Sequence, residues 1–256
     1  MGTALITGAT SGIGLAFART LARRGHDIVL VARDRERLDT VAAELRGHQV
    51  QVDVLVADLA DRVQLASVED YIGSHSVEIL VNNAGFGVPQ RFSTGDLEAE
   101  QRMLDVLVTA VMRLTHAALP GMVARGSGAV LNVSSIAGWI TGGTYSASKA
   151  WVTVFSESLA LELAGTGVHV TAVCPGFTQT EFHERASMQM EGVPDWMWLD
   201  AQDVVDRALR DVRKGRPVSV AGPQYKALSI AAQYLPRPLV RALGSRRPGG
   251  QVRASR

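Results

Sequence analysis

Thr3 to Gly14 reads TALITGATSGIG. A short apolar segment, Thr3 to Ile6, runs straight into a glycine-rich turn, Gly8 to Gly14, and a helical pattern follows to Arg24. A strand that returns parallel to itself needs a crossover, and a helix is the usual one. The alternation continues outward from this unit. Asp27 to Val31, Val50 to Val56, Glu78 to Val81, Ala129 to Val133, Val168 to Val173 and Pro217 to Val220 read as further strands. Between them, helices run from a cap at Asp34 to about Arg46, from Asp61 to about Ser74, from Asp96 to Arg125 with a break near Pro120, from Tyr145 to Ala164, and from a cap at Asp200 to Lys214. Strand and helix taking turns predict an α/β fold, a doubly wound parallel sheet of seven strands with helices on both faces. No linker or repeat divides residues 1–256, so they form a single domain. Its tail, about 223–256, holds a helix interrupted at Pro236 and Pro238 and frays from Ser245.

Bulk composition excludes several classes. A net charge of +1 gives no electrostatic case for nucleic acid or an acidic membrane face. Cys174 is the only cysteine, so no internal disulfide and no thiolate metal cluster forms. The six histidines lack ligand spacing, and no metal is expected. A lone cysteine and no basic or apolar leader point to a reducing, cytoplasmic location. No apolar run reaches the roughly 18 residues of a spanning helix, so no transmembrane segment is expected.

Ligands of such sheets bind at the carboxyl ends of the strands, where strand order reverses. The chemistry-bearing stretches all follow strands. In the first turn, Gly8, Thr10, Ser11, Gly12, Ile13 and Gly14 suit a pyrophosphate, with glycines giving close backbone approach and a helix N-terminus behind them. No Lys-Ser/Thr follows, so this is not a phosphate-transfer loop. Strand two ends Ala32-Arg33, with no acid to take a ribose hydroxyl and an Arg whose planar fork matches a 2′-phosphate. That favours NADP, with NAD the lesser choice. Asp58, followed by Leu59, either accepts from the adenine amino group or makes an ordinary Asx turn. Asn83, Ala84 and Gly85 end strand four, where small residues let the ribose lie on the backbone. Pro175, Gly176, Thr178 and Thr180 follow strand six and would cover the nicotinamide.

The stretch from Ser134 to Ala150, SSIAGWITGGTYSASKA, carries the reactive groups. On a helix, Tyr145 and Lys149 lie one above the other. A phenol normally keeps its proton to about pH 10. A nearby ammonium favours the phenolate, which suits a proton carrier near neutrality. A serine hydroxyl at the same point holds a substrate oxygen.

Together these residues resemble the short-chain dehydrogenase/reductase family. TGxxxGxG at 7–14, NNAG at 82–85, serine at 134–135, YxxxK at 145–149 and PGxxxT at 175–180 stand in the family's order, over roughly residues 1–222. The resemblance implies a seven-stranded Rossmann sheet of order 3-2-1-4-5-6-7 and NAD(P)-dependent carbonyl/alcohol interconversion. It makes Tyr145 the acid/base, gives Lys149 the tasks of lowering its pKa and binding the nicotinamide ribose, and puts Ser135, second of its pair, on the substrate oxygen. It also implies a homodimer or homotetramer, commonly through the helices starting near Asp96 and Tyr145.

Two departures from the family stand out. Its relay asparagine is replaced by Leu107, which motivates an alternative reading as a catalytically weak or inactive NAD(P)-binding regulatory protein. Ser135 and Tyr145 are only ten residues apart, so Gly142-Gly143 makes a tight return and Trp139 and Ile140 face the substrate. An isomerase or epimerase of the larger related family is not expected, given the TGxxxGxG spacing and no substantial C-terminal substrate domain. Phe177 to Leu199 is a candidate lid rich in Phe, Met and Trp, including Phe177 and Phe182. It lines a pocket for a bulky apolar carbonyl or alcohol, or else buries itself against the body and a partner chain. The segment from Tyr225 to Leu243 suits a partner or a membrane surface, the latter weakened by its prolines.

Overall fold

Successive residues of a strand point to opposite faces of its sheet. In the first strand Ala4 and Ile6 therefore join one apolar layer and Leu5 the other, all fully buried. This is why the strands read as apolar runs: both faces are covered. The computed structural model describes residues 2–181, 193–236, 238 and 239. Its strands are β1 (Thr3–Thr7), β2 (Asp27–Ala32), β3 (Val52–Val56), β4 (Val77–Asn82), β5 (Gly128–Val133), β6 (Val168–Val173) and β7 (Val218–Ser219). They form one sheet of order β3-β2-β1-β4-β5-β6-β7. Every pairing is parallel. Order reverses between β1 and β4, so the crevice lies above those two strands.

Helices α1 (Gly12–Arg23), α2 (Arg35–Arg46), α3 (Arg62–Ser74), α4 (Leu97–Leu104), α5 (Val111–Arg125), α6 (Gly143–Glu162), α7 (Ala201–Arg213) and α8 (Pro223–Tyr234) cover the sheet. Four begin at aspartates whose carboxylates accept backbone N–H groups of the first turn: Asp34, Asp61, Asp96 and Asp200. Phe17 and Leu21 of α1 pack beside Val204 and Val205 of α7 in one layer, while Leu65 of α3 and Leu114 of α5 share the other.

The structure corrects the expected break near Pro120. That proline sits inside α5 without interrupting it. Pro120 and His116 are both exposed, so the carbonyl that loses its N–H partner faces water. The irregularity comes earlier: Asp105–Ala110 forms a π-helical segment between α4 and α5. The continuous helix Leu97–Arg125 is long and apolar enough to cross a membrane by length and composition. Here Met103, Leu107, Leu114 and Met122 are spent on the core, which accounts for its apolar character. Helix α6 starts at Gly143, two residues earlier than its expected start, and so places Tyr145 inside its first turn.

A buried polar chain ties the middle of the sheet to its helices. Asn82 Nδ2 donates to Asn132 Oδ1 at 2.8 Å and to Thr115 Oγ1 at 3.0 Å, and Asn132 Nδ2 donates to Ser156 Oγ at 3.0 Å. It clamps β4 and β5 to α5 and α6. Asn132→Ala removes one buried bond each from Asn82 and Ser156, which keep Thr115 and Val152 O as partners, at about 0.5–1.5 kcal/mol per bond. A loss of about 1–3 kcal/mol in urea unfolding is expected. An unchanged midpoint would show that the chain carries no such load.

Candidate active site

At the carboxyl edge of β1, Thr7 joins two loops. Its hydroxyl accepts the N–H groups of Asn83 and Ala84 at 2.9 and 3.0 Å. Asn83 Nδ2 returns two bonds, to Thr7 O at 3.0 Å and Gly8 O at 3.2 Å. The space so formed admits only glycine. A Cβ on Gly14 would stand 2.3 Å from Gly8 O and 2.4 Å from Asn83 Nδ2, and one on Gly8, at φ +66°, 2.9 Å from Ala84 Cα. Gly14 is buried, while Thr10, Ser11, Gly12 and Ile13 are half-buried around the start of α1. Ser11 caps that helix by position but makes no side-chain cap bond. The first-turn N–H groups of α1 thus remain available to an anion. Thr180 lies over this turn, where a Cβ on Gly12 would come within 3.0 Å of it.

Arg33 is exposed just past β2. Asp58 is half-buried beyond β3; its Oδ1 accepts Ala60 N–H at 3.0 Å, an Asx turn, and its Oδ2 pairs with Arg102 at 2.9 Å. Burial works to raise this carboxyl, but the Ala60 N–H, Arg102 and the charge of Arg33 outweigh it and hold it below the usual range. Leu59 turns its side chain into the core. Gly85 is exposed on the strap after β4, and Ala84 packs inward behind it. Pro175 is buried, and Pro175 O accepts from Ile136 N at 3.1 Å. Thr178 is also buried, with its hydroxyl donating to Gly176 O at 3.1 Å.

The two serines after β5 divide. Ser134 is buried and its hydroxyl reaches Lys149 O at 2.7 Å and Thr153 Oγ1 at 2.8 Å, which docks α6 on the sheet. Ser135 is half-buried and accepts from Ala137 N at 3.1 Å, starting the single turn Ile136–Trp139. A Cβ on Gly138 would sit 2.9 Å from the Lys149–Ala150 backbone, so this turn rests directly on α6. Gly143, at φ +76°, completes the short return to Tyr145. Trp139 and Phe177 pack on the same apolar layer. Phe182, with Met188 and Met190, lies outside the described residues.

Lys149 Nζ lies 5.7 Å from the centroid of the half-buried Tyr145 ring and donates to Val133 O at 2.7 Å. Burial pushes its ammonium down from 10.5 to about 8, which only a charge on the adjacent Cys174 would oppose. Burial also pushes the Cys174 thiol up, to about 12, so it is a neutral neighbour. Leu107 occupies the π-helical segment beside this group; a Cβ on Gly85 would meet Leu107 Cδ2 at 2.7 Å and Lys149 Nζ at 4.0 Å.

Two residues around the site escape a reading by motif. Glu100 of α4 is 4% exposed and accepts the hydroxyl of Thr144, next to Tyr145, and Gln90 Nε2 at 3.2 Å. The signal is its spacing with Met103 and Leu107, which puts a carboxylate on a core-facing stripe. Tyr225, fully buried, bonds Phe177 N and Met197 O, and no local pattern announces that.

A family model described as short chain dehydrogenase matches residues 2–191. Sulfoacetaldehyde reductase 2 of Chromohalobacter salexigens is 42% identical over 185 residues, which cover 70% of this chain and 73% of that protein. The structure of a short-chain dehydrogenase from Sphingobium yanoikuyae in complex with NADPH superposes with a TM-score of 0.83 at 36% identity, covering 99% of both chains. The bulky-bulky ketone specific alcohol dehydrogenase from Comamonas testosteroni gives a TM-score of 0.79 at 32% identity, covering 100% of this chain and 97% of that one.

Burying Lys149 costs stability while it is charged. Its folded pKa lies below the unfolded one, so the unfolded chain binds the extra proton between about pH 8 and 10.5. The cost is full below pH 8 and fades towards pH 10.5. Lys149→Met therefore raises the melting temperature of the cofactor-free protein at pH 6.5, by at most the equivalent of about 3 kcal/mol for this shift. The gain shrinks at pH 10. Destabilisation at pH 6.5 would show that the ammonium is compensated where it stands.

Proposed function

Because the chain belongs to the short-chain dehydrogenases, we propose that it is an NADP-dependent oxidoreductase interconverting a carbonyl and an alcohol on an apolar substrate. One observation carries the reading. Tyr145 and Lys149 are stacked on α6, the ammonium shut away from water, at the edge that holds the glycine-only cradle. The cradle fits a dinucleotide: Gly8 makes the tight turn, Gly14 packs flush behind it, and Gly12 leaves the backbone at the start of α1 open to a pyrophosphate.

When bound, the nicotinamide cofactor supplies or accepts the hydride. The chain supplies orientation and a proton. Tyr145 gives its phenolic proton to the substrate oxygen in reduction and takes it back in oxidation. Ser135 donates a hydrogen bond to the same oxygen. Lys149 favours the phenolate by its charge and takes the ribose hydroxyls of the cofactor. Gly8, Thr10, Ser11, Gly12, Ile13 and Gly14 hold the pyrophosphate, Asn83 to Gly85 back the ribose, and Pro175 to Thr180 cover the nicotinamide. Asp58 faces the adenine.

NADP is favoured over NAD by Ala32 and Arg33, and the Sphingobium relative carries NADPH. An apolar substrate is favoured by Trp139 and Phe177, partly buried apolar side chains just after β5 and β6. The Comamonas enzyme's bulky ketones suit that lining better than a charged sulfoacetaldehyde. Exposed Met112 and Val123 on α5, with Val154 and Leu161 on α6, support a homodimer or homotetramer through these helices. The buried free thiol of Cys174 favours a reducing compartment, and we place the enzyme in the cytoplasm.

Leu107 favours a second reading, a weak or inactive nucleotide-binding regulator. Absorbance at 340 nm with NADPH and a ketone panel separates the two: turnover supports the enzyme, and nucleotide binding without turnover the regulator. Tyr145→Phe is expected to lower kcat by about 10²–10⁴-fold with cofactor affinity nearly unchanged. Retained turnover would refute the assignment. Arg33→Ala is expected to raise the KM for NADPH by about 10–100-fold, the worth of one charged hydrogen-bonding partner, and to leave that for NADH alone. Equal effects on both cofactors would remove Arg33 from the phosphate.

A further inference from the structure

Residues 177–179 and 197–199 meet at one neck. Leu199 N donates to Phe177 O at 2.8 Å and Gln179 N donates to Leu199 O at 3.0 Å, a single parallel bridge. Tyr225 of α8 stands behind that bridge. Its hydroxyl accepts the N–H of Phe177 at 3.0 Å and donates to Met197 O at 2.6 Å. A phenol has one proton and lone pairs to give, and here both kinds of bond are made to backbone, one on each limb of the neck. The ring is fully buried and fills the place where Gly176 lacks a side chain; a Cβ there would stand 2.1 Å from Tyr225 Cζ.

This arrangement links three parts of the site. Gly176 belongs to the loop that covers the nicotinamide. Phe177 and Trp198 stand on the two limbs of the neck with ring centroids 5.9 Å apart. Helix α8 also packs against the Ile136–Trp139 turn that follows Ser135. One hydroxyl from outside the motif-bearing part of the chain thus holds the substrate side together.

We propose that the Tyr225 hydroxyl is a positioning group that fixes the width of the substrate mouth by tying its two limbs, and so selects carbonyl substrates by size. The proposal rests on the reading of this edge as a carbonyl/alcohol site. Without the hydroxyl, Phe177 N–H and Met197 C=O each lose this bond at a part-buried place. The neck opens to let water satisfy them. Phe177 and Trp198 then part, and the wall against which a bulky ketone packs is lost. Tyr145, Lys149 and the glycine cradle stay in place, because they stand on α6 and on the turn after β1, outside the neck.

Tyr225→Phe in the full chain tests this, since it keeps the ring against Gly176 and removes only the hydroxyl. The KM for a bulky ketone should rise about tenfold, with kcat within twofold and the KM for a small ketone unchanged. NADPH affinity should hold. Equal changes for both ketones, or none, would overturn the proposal. Two readouts do not depend on turnover. Acrylamide quenching of tryptophan emission should rise in the variant without substrate, as Trp198 opens to water. In the wild-type protein, amide exchange of the peptide spanning 176–179 should be slow, and in the variant fast. Fast exchange in the wild type would refute the latch even if no ketone proves to be a substrate. Slow exchange with no turnover would leave the latch standing and remove the catalytic reading.

Discussion

An ammonium group held out of water is the constraint on which the rest depends. Lys149 Nζ is buried between the end of β5, Cys174 and the Tyr145 ring, and its bond to Val133 O ties it to the strand end. Keeping a charge there is unfavourable unless something nearby gains from it. What stands beside it is the Tyr145 ring, and a charge held at such a cost is the kind of feature that functional sites retain. Much of the local sequence serves this placement. Ser134 gives its hydroxyl to the α6 backbone at Lys149 itself, and Thr153 one turn on joins the same contact. Gly138 lets the Ile136–Trp139 turn lie flush on that backbone.

The second requirement is closeness of another kind. A dinucleotide needs backbone within reach, and Thr7, Gly8, Gly14 and Asn83 interlock so that the first turn and the strap after β4 move as one piece. Both requirements meet at one edge because all seven strands run parallel and their carboxyl ends coincide. Tyr145 and the glycine cradle are therefore brought together by topology, with no direct bond between them needed.

Much of this was legible in the sequence because it is local. Strand and helix periods, the aspartate caps at 34, 61, 96 and 200, and glycines at positions of close approach are each decided within a few residues. The resemblance supplied the strand order, and the observed sheet has it. What stayed hidden depends on distance along the chain. Nothing near Tyr225 says that it meets Phe177 and Met197, and Glu100 gains its meaning only from Thr144, which lies 44 residues away. Pro120 misled because a helix can carry a proline where the carbonyl it frees faces water, as on the exposed side of α5. The π-helical segment at Asp105–Ala110 has no composition of its own; it holds Leu107 under Gly85 and beside the buried ammonium.

The central claim is that Lys149 acidifies Tyr145 when the oxidised cofactor is in place. With four tyrosines in the chain, selective carbon labelling of the phenolic ring carbon lets each be followed by NMR as pH is raised. In the complex with oxidised cofactor, the account predicts that the Tyr145 signal ionises well below the ordinary phenol value of about 10, and that Lys149→Met moves it back up. A Tyr145 that ionises at the ordinary phenol value, or that is indifferent to the loss of Lys149, would contradict the account.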